Sequence, residues 1–299
     1  MTVRGESLVL AGTAPGNLTF DGVVPGTLAV RSTYKADDPK CVVYKEGEDY
    51  VVNLVQGTLA RTENSKMPDF ARNVLYGQKD FDHGKFPGFT NHPFFVWVDY
   101  TTTHGQPWAK ANDQTPFLAK TRARLAAGGP FRIVSYGDSI TAGGEASEPD
   151  LRFQAMYGKY LQGKFPKSKI EVEDVSISGY CSIHGIQLWD DYLGKTKPDL
   201  VLVGWGMNDH NLPGGGGVEP DAFQKNLTTL VEMIRDRKNA EVILFSAFPP
   251  NDDWHFGTHR MGLFADATKQ AAIDAKCAYV DVYNTWKMVL TRKDQSSLL

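Results

Sequence analysis

FRIVSYGDSIT, residues 131–141, is the stretch whose reading decides the fold. Phe131 to Gly137 is largely apolar and runs without a spacer into Gly-Asp-Ser. A strand that is apolar nearly throughout is buried on both faces, as in a parallel sheet covered by helices. Four further strand-like runs follow: IEVEDVSIS (170–178), PDLVLVGWG (198–206), AEVILFSAF (240–248) and AYVDVYN (278–284). Between them lie the helix-like segments LRFQAMYGKYLQGKF, IHGIQLWDDYLG, PDAFQKNLTTLVEMIRDRK and GLFADATKQAAIDAK. This alternation predicts a three-layer α/β/α unit with five parallel strands and right-handed crossovers. Ligands are then expected beyond the carboxyl ends of the strands.

Upstream the rhythm differs. From Met1 to about Pro116 the apolar residues fall in short runs such as SLVLAG, TLAVRSTY and FFVWVDYTTT, broken by Gly, Pro, Asn and Asp. Such runs predict an all-β, sandwich-like or jelly-roll-like domain over 1–116. Residues 117–130, FLAKTRARLAAGGP, read as a helical linker ending at Gly128-Gly129-Pro130. The α/β domain is then expected over 131–299.

Composition narrows the function. The 299 residues carry 32 basic and 35 acidic side chains, a formal charge of -3, with 41% hydrophobic residues. That balance supplies no electrostatic footprint for nucleic acid or an anionic membrane surface. No apolar run approaches the roughly 18–20 residues that span a bilayer. The start lacks the basic and apolar regions of a secretory signal, which favours the cytoplasm and leaves secretion after signal removal open. Cys41, Cys181 and Cys277 form neither a disulfide framework nor a pair at metal-ligand spacing. Oligomeric state is not legible.

Three turns follow three successive strands on one edge of the expected sheet: Gly137-Asp138-Ser139-Ile140-Thr141, Ser178-Gly179-Tyr180 and Gly206-Met207-Asn208-Asp209. Each alone is ordinary turn chemistry, with Asp138 or Ser139 a helix N-cap. Together they supply what acyl transfer needs. Ser139 offers a nucleophilic hydroxyl and an N–H, Gly179 a second N–H from a backbone free to approach closely, and Asn208 a side-chain amide donor.

On these residues the chain resembles the SGNH hydrolases, also called the GDSL esterase/lipase family. Gly137 to Thr141 matches the Ser block, with Ile140 where the family has Leu, Gly179 matches the Gly block, and Gly206-x-Asn208-Asp209 the Asn block. The resemblance covers about residues 131–290. It implies a flavodoxin-like fold and ester hydrolysis through an acyl-enzyme on Ser139, with the N–H groups of Ser139 and Gly179 and the Asn208 amide as oxyanion donors. It implies neither a metal nor an organic cofactor. Some carbohydrate esterases of the family carry a β-sandwich before the hydrolase domain, which directs the substrate expectation toward acylated sugars or small esters.

The family's fourth block, Asp-x-x-His, follows the fifth strand, and no histidine occurs here after His259. The Asp–His pair is therefore expected outside these residues. A substitute with the same spacing is Asp252-Asp253-Trp254-His255, whose alternative is a polar loop. His210, beside the Asn block, is expected to line the cleft. Cys181 is expected to be a small buried filler. Asp138 should shape the Ser139 turn. Trp205 and Trp254 read as pocket walls or sugar platforms, with core packing the default for Trp205. Gly214–Gly217 reads as a lid or a plain loop, and His83, His92 and His104 receive no role. The aromatics Phe81, Phe86, Phe89, Phe94, Phe95, Trp97, Tyr100 and Trp108 read chiefly as packing, with a carbohydrate patch as the alternative.

The sequence thus points to a two-domain serine esterase for short acyl groups. Two rivals stay open: a non-catalytic carbohydrate-binding protein on the same scaffold, and a lipase or thioesterase with an apolar groove.

Overall fold

The structure is a computed structural model that describes residues 1–104, 113–211 and 217–298. The chain forms two compact units, one of residues 1–110, 253–255 and 287–299, the other of 111–252 and 256–286.

The first unit holds seven short strands: β1 (Thr2–Leu8), β2 (Gly16–Asn17), β3 (Ala29–Arg31), β4 (Val43–Tyr44), β5 (Tyr50–Asn53), β6 (Thr58–Arg61) and β7 (Val96–Thr101). They make two antiparallel sheets, in the orders β1-β7-β3-β4 and β2-β6-β5. Strand β7 alternates strictly between buried and half-buried positions, the period of a sheet with one face on the core. Leu8, Val30, Val98 and Tyr100 from one sheet meet Tyr50 and Leu59 from the other in one apolar cluster.

The residues at 287–299 belong to this unit through a buried ion pair. Lys293 Nζ lies 3.0 Å from Glu6, and their side chains are 1% and 6% exposed. Tyr100 donates its hydroxyl to the same carboxylate at 2.7 Å, and the Thr19 N–H donates to it at 2.7 Å. Each oxygen of this buried carboxylate thus has a donor, which is what a buried ion pair requires.

The second unit is built on β8 (Gly129–Gly137), β9 (Ser168–Asp174), β10 (Leu200–Gly204), β11 (Glu241–Phe245) and β12 (Ala278–Val280). All neighbours are parallel, in the order β12-β11-β10-β8-β9. Counted within the unit this is the flavodoxin-like order 2-1-3-4-5, with its reversal between β8 and β10. The helices are α1 (Ala119–Ala127), α2 (Ser139–Ala142), α3 (Phe153–Lys164), α4 (Ser182–Gln187), α5 (Pro220–Lys238), α6 (Met261–Asp274) and α7 (Val282–Leu290). Side chains on one sheet face, among them Ile133, Leu200, Leu202 and Ile243, share a cluster with Leu125 of α1 and Leu161 of α3. Helix α5 buries Phe223, Leu227, Leu230, Val231 and Ile234, the stripe expected of a helix lying on a core.

Two boundaries differ from the sequence reading. Residues 119–127, read there as a linker, form α1 within the second unit and place Leu125 in its core. The fifth strand stops at Val280, and Val282–Leu290 is helical where a strand is expected to run to Asn284.

Replacing Lys293 by Met leaves Glu6 charged and buried without its cation, and should destabilise the protein by about 3–5 kcal/mol in urea unfolding. The double change Lys293→Met with Glu6→Gln should recover part of that loss.

Candidate active site

At the reversal point both strands end in glycine. Gly137 of β8 pairs with Gly204 of β10, and a Cβ on Gly137 would collide with the Gly204 carbonyl and the Thr141 hydroxyl. The Thr141 hydroxyl donates to the Gly204 carbonyl at 2.5 Å. Beyond Gly137 the chain turns at once into α2. Asp138 is its N-cap, extended at φ -89° and accepting the Ile140 N–H at 3.0 Å. Ser139 is the first helical residue, half-buried. Its N–H lies among those a helix start leaves unsatisfied, and among the described residues its side chain has no hydrogen-bond partner.

The second turn follows β9, whose extension keeps bonding to β8: the Ile177 N–H donates to the Gly137 carbonyl at 2.7 Å. Gly179 then takes φ +81° with nothing within 4 Å of a hypothetical Cβ. Its left-handed backbone, rather than crowding, is what calls for glycine. The third turn follows β10. There the Asn208 side-chain amide donates to the Tyr180 carbonyl at 3.0 Å, which uses one of its two N–H groups.

Hydrogen bonds between the turns tie them into one constellation. The Asp138 carboxylate accepts the Met207 N–H at 3.1 Å, joining the Ser139 and Asn208 turns. Asn208 joins its own turn to that of Gly179. Asp209, wholly buried, accepts the Ser182 N–H at 3.0 Å and the Ser182 hydroxyl at 2.6 Å, at the start of α4. Asn226 of α5 donates to that hydroxyl at 2.9 Å.

Burial governs the electrostatics. It pushes the Asp138 carboxyl up to about 7, and the neighbouring charge of Asp209 adds to this. Asp209 is pushed up to about 6 by burial against the opposing pull of the Ser182 hydrogen bonds. The Cys181 thiol is driven up to about 12 by burial and by both carboxylates, so it stays protonated and packs as a buried residue.

The histidines fall differently from the sequence expectation. His210 does not line a cleft. It is 1% exposed, its Nδ1 lies 2.5 Å from the Met207 carbonyl, its ring meets Phe264 edge-on, and burial lowers its pKa. His255 does not pair with Asp252. Its Nδ1 is 2.8 Å from Asp80, while Asp252 lies 3.7 Å from His259. The reason is a backbone pairing that sequence spacing cannot reveal: Phe81 donates to the Asp253 carbonyl and accepts from the His255 N–H, both at 2.9 Å. The same pairing carries Trp254, whose indole N–H donates to His83 at 2.9 Å. Trp205 is a core residue against Tyr136. Residues 105–112 and 212–216, which include Trp108 and Gly214 to Gly216 of the expected lid, lie outside the described residues.

The sequence reading also missed His184, which accepts the Cys181 N–H at 3.1 Å and stacks edge-on against Tyr180. Beside this edge lies an apolar cavity of about 500 Å³, lined by Ile140, Thr141, Phe153, Phe245, Phe248 and Trp286 among others. Phe248 and Trp286 stack at 4.3 Å. Among the described residues no helix is long and apolar enough to cross a membrane.

Comparison with known proteins bears on this geometry. The model of the GDSL-like Lipase/Acylhydrolase family matches residues 135–297. An arylesterase of Vibrio mimicus is 27% identical over 141 residues, 45% of this chain and 62% of that protein. A two-domain esterase active on acetylated mannans aligns with a TM-score of 0.51 at 19% identity, over 62% of this chain and 46% of that one. Axe2, an acetylxylan esterase from Geobacillus stearothermophilus, aligns as a catalytic mutant with a TM-score of 0.46 at 23% identity, over 55% of this chain and 81% of that one. The chain thus spans less than two thirds of the length of the first two proteins.

The raised carboxyls set a pH dependence. Both folded values lie above the unfolded one of about 3.9, so between about pH 4 and pH 7 the folded chain binds more protons than the unfolded. Their contribution to stability is therefore largest at the acid end and is lost as pH rises through that window. The fall in thermal midpoint between pH 5 and pH 8 should be smaller in Asp138→Asn than in the parent.

Proposed function

The chain belongs to the GDSL-like lipase/acylhydrolase family, and on that premise we propose that it hydrolyses esters through an acyl-enzyme on Ser139, removing acetyl or other short acyl groups from carbohydrate or from small esters. The observation that carries this is the stitching of the three strand-end turns, which leaves an N–H of Ser139, an N–H of Gly179 and the second amide N–H of Asn208 without acceptors among the described residues.

Ser139 Oγ attacks the ester carbonyl carbon, and the carbonyl oxygen takes the negative charge. The three donors stabilise that oxyanion in a partly dry site, where fixed dipoles act more strongly than in water. Collapse breaks the bond to the alcohol, which leaves with a proton, and water then releases the acid from Ser139. The serine proton passes to a base outside the three turns. The sugar-ester assignment draws on the two-domain fold neighbour, whose substrates are acetylated mannans.

The apolar cavity beside Ile140 and Thr141 favours a second reading, in which the acyl group is a longer chain. p-Nitrophenyl esters from acetate to decanoate separate the two. A rate maximum at acetate or butyrate supports the first, a maximum at octanoate or beyond the second.

The test of the Ser139 assignment is intact-mass analysis after a small fluorophosphonate, with p-nitrophenyl acetate turnover alongside. The parent should gain one adduct. Ser139→Ala should gain none and lose about 10⁴-fold or more in kcat, and Asn208→Ala should lose about 10²–10³-fold. A folded parent that takes no label overturns the assignment. In a parent that labels, single alanine changes at His184, His210, His255 and His259 ask whether any of these imidazoles serves Ser139.

A further inference from the structure

Asp138 and Asp209 occupy positions where a carboxylate is costly. They are 2% and 0% exposed, and neither forms an ion pair among the described residues. A buried carboxylate without a cation costs several kcal/mol relative to a well-packed neutral residue, and persists only where its hydrogen bonds do something a neutral side chain cannot.

What these two hold is backbone. Asp138 accepts the N–H of Ile140, one residue after Ser139, and that of Met207, one residue before Asn208. Asp209, one residue after Asn208, accepts the N–H and hydroxyl of Ser182, three residues after Gly179. Direction is imposed on the second set from further away. Asn226 donates to the Ser182 oxygen, so the Ser182 proton is left to point at Asp209. The charge that bears on Asp138 is that of Asp209; the Cys181 thiol at the start of α4, raised by both carboxylates, stays neutral beside it.

We propose that Asp138 and Asp209 are positioning residues for the oxyanion site, Asp138 fixing the Ser139 turn against the Asn208 turn and Asp209 fixing the Asn208 turn against the segment that carries Gly179. Their role presupposes the ester hydrolysis at Ser139 and extends it to two side chains that touch no substrate. The physical requirement is tolerance. Oxyanion donors act within about 2.7–3.1 Å of the developing charge, and a misplacement of about 1 Å can cost 10²-fold in rate. An asparagine at 138 offers one acceptor oxygen where two carboxylate oxygens each hold a backbone N–H. At 209 it replaces the second oxygen, 3.1 Å from the Ser182 N, by an N–H that faces that donor. Both keep the volume and weaken the clamp.

The experiment compares Asp138→Asn and Asp209→Asn with the parent in p-nitrophenyl acetate turnover and thermal midpoint at pH 8. Each variant should lose about 10–10²-fold in kcat with KM within twofold, while its thermal midpoint stays at or above the parent's because a buried charge is gone. A merely structural role would lower the midpoint together with the rate. Parental kcat, or a loss that only follows the folded fraction, overturns the proposal. Should Asp209→Asn fail to fold, Ser182→Ala decides for that clamp. Should Asp138→Asn fail to fold, Asp138→Ser decides, since it keeps an N-cap acceptor and loses the reach to Met207. In either case a kcat loss at unchanged midpoint supports the clamp, whereas parental kcat overturns it. A folded parent inert to both ester and fluorophosphonate overturns the Ser139 assignment and this proposal together. A reactive parent with fully active variants overturns this proposal alone.

Discussion

The carboxyl edge of the α/β unit depends on how closely β8 and β10 approach at their last residues. Gly137 and Gly204 are paired there; a Cβ on Gly137 would strike the Gly204 carbonyl and Thr141, and one on Gly204 the Phe245 ring and Thr141. With both side chains absent, the Thr141 hydroxyl reaches the Gly204 carbonyl and the Asp138 carboxylate reaches the Met207 N–H. The Ser139 and Asn208 turns are therefore held by short contacts made at a topological reversal, where α/β sheets open a crevice. A methyl group at Gly137 would push apart the two elements that bring Ser139 and Asn208 to one edge.

Close approach has an electrostatic consequence. The same packing that brings the turns together removes water from Asp138 and Asp209 and raises both carboxyls toward neutrality. Stability and geometry are set against each other: an apolar side chain would fold more favourably, but it could not accept backbone N–H groups from two turns at once. At these two positions the chain breaks a local rule that a stable core would obey.

The two units differ in how they close. The α/β unit relies on a sheet covered by helices that alternate with its strands along the chain. The β unit has two small sheets and short strands, and it draws on a strap from the far end of the chain. Lys293 and Arg292 reach Glu6 and Asp21, so residues nearly 300 apart complete one core. The β unit is thus a discontinuous part of the chain, unlike the contiguous 1–116 domain that composition suggests.

Sequence by itself determined the alternation of strands and helices from Phe131 onward and the identity of the three strand-end turns with Ser139, Gly179 and Asn208. Those signals are local: apolar periodicity reports burial, and Gly, Asp and Asn report the turns the backbone must make. Tertiary structure alone decided which carboxylate meets which imidazole. The spacing of Asp252 and His255 invites a pair, yet Phe81 bonds the backbone on either side of Trp254 and brings Asp80 to His255 instead. It also decided that His210 is a core residue, and that Asn226, Ser182 and Asp209 form a directed chain behind Asn208. Each of these joins segments far apart along the chain or depends on burial from all sides, and no spacing within a single stretch of sequence encodes such a contact.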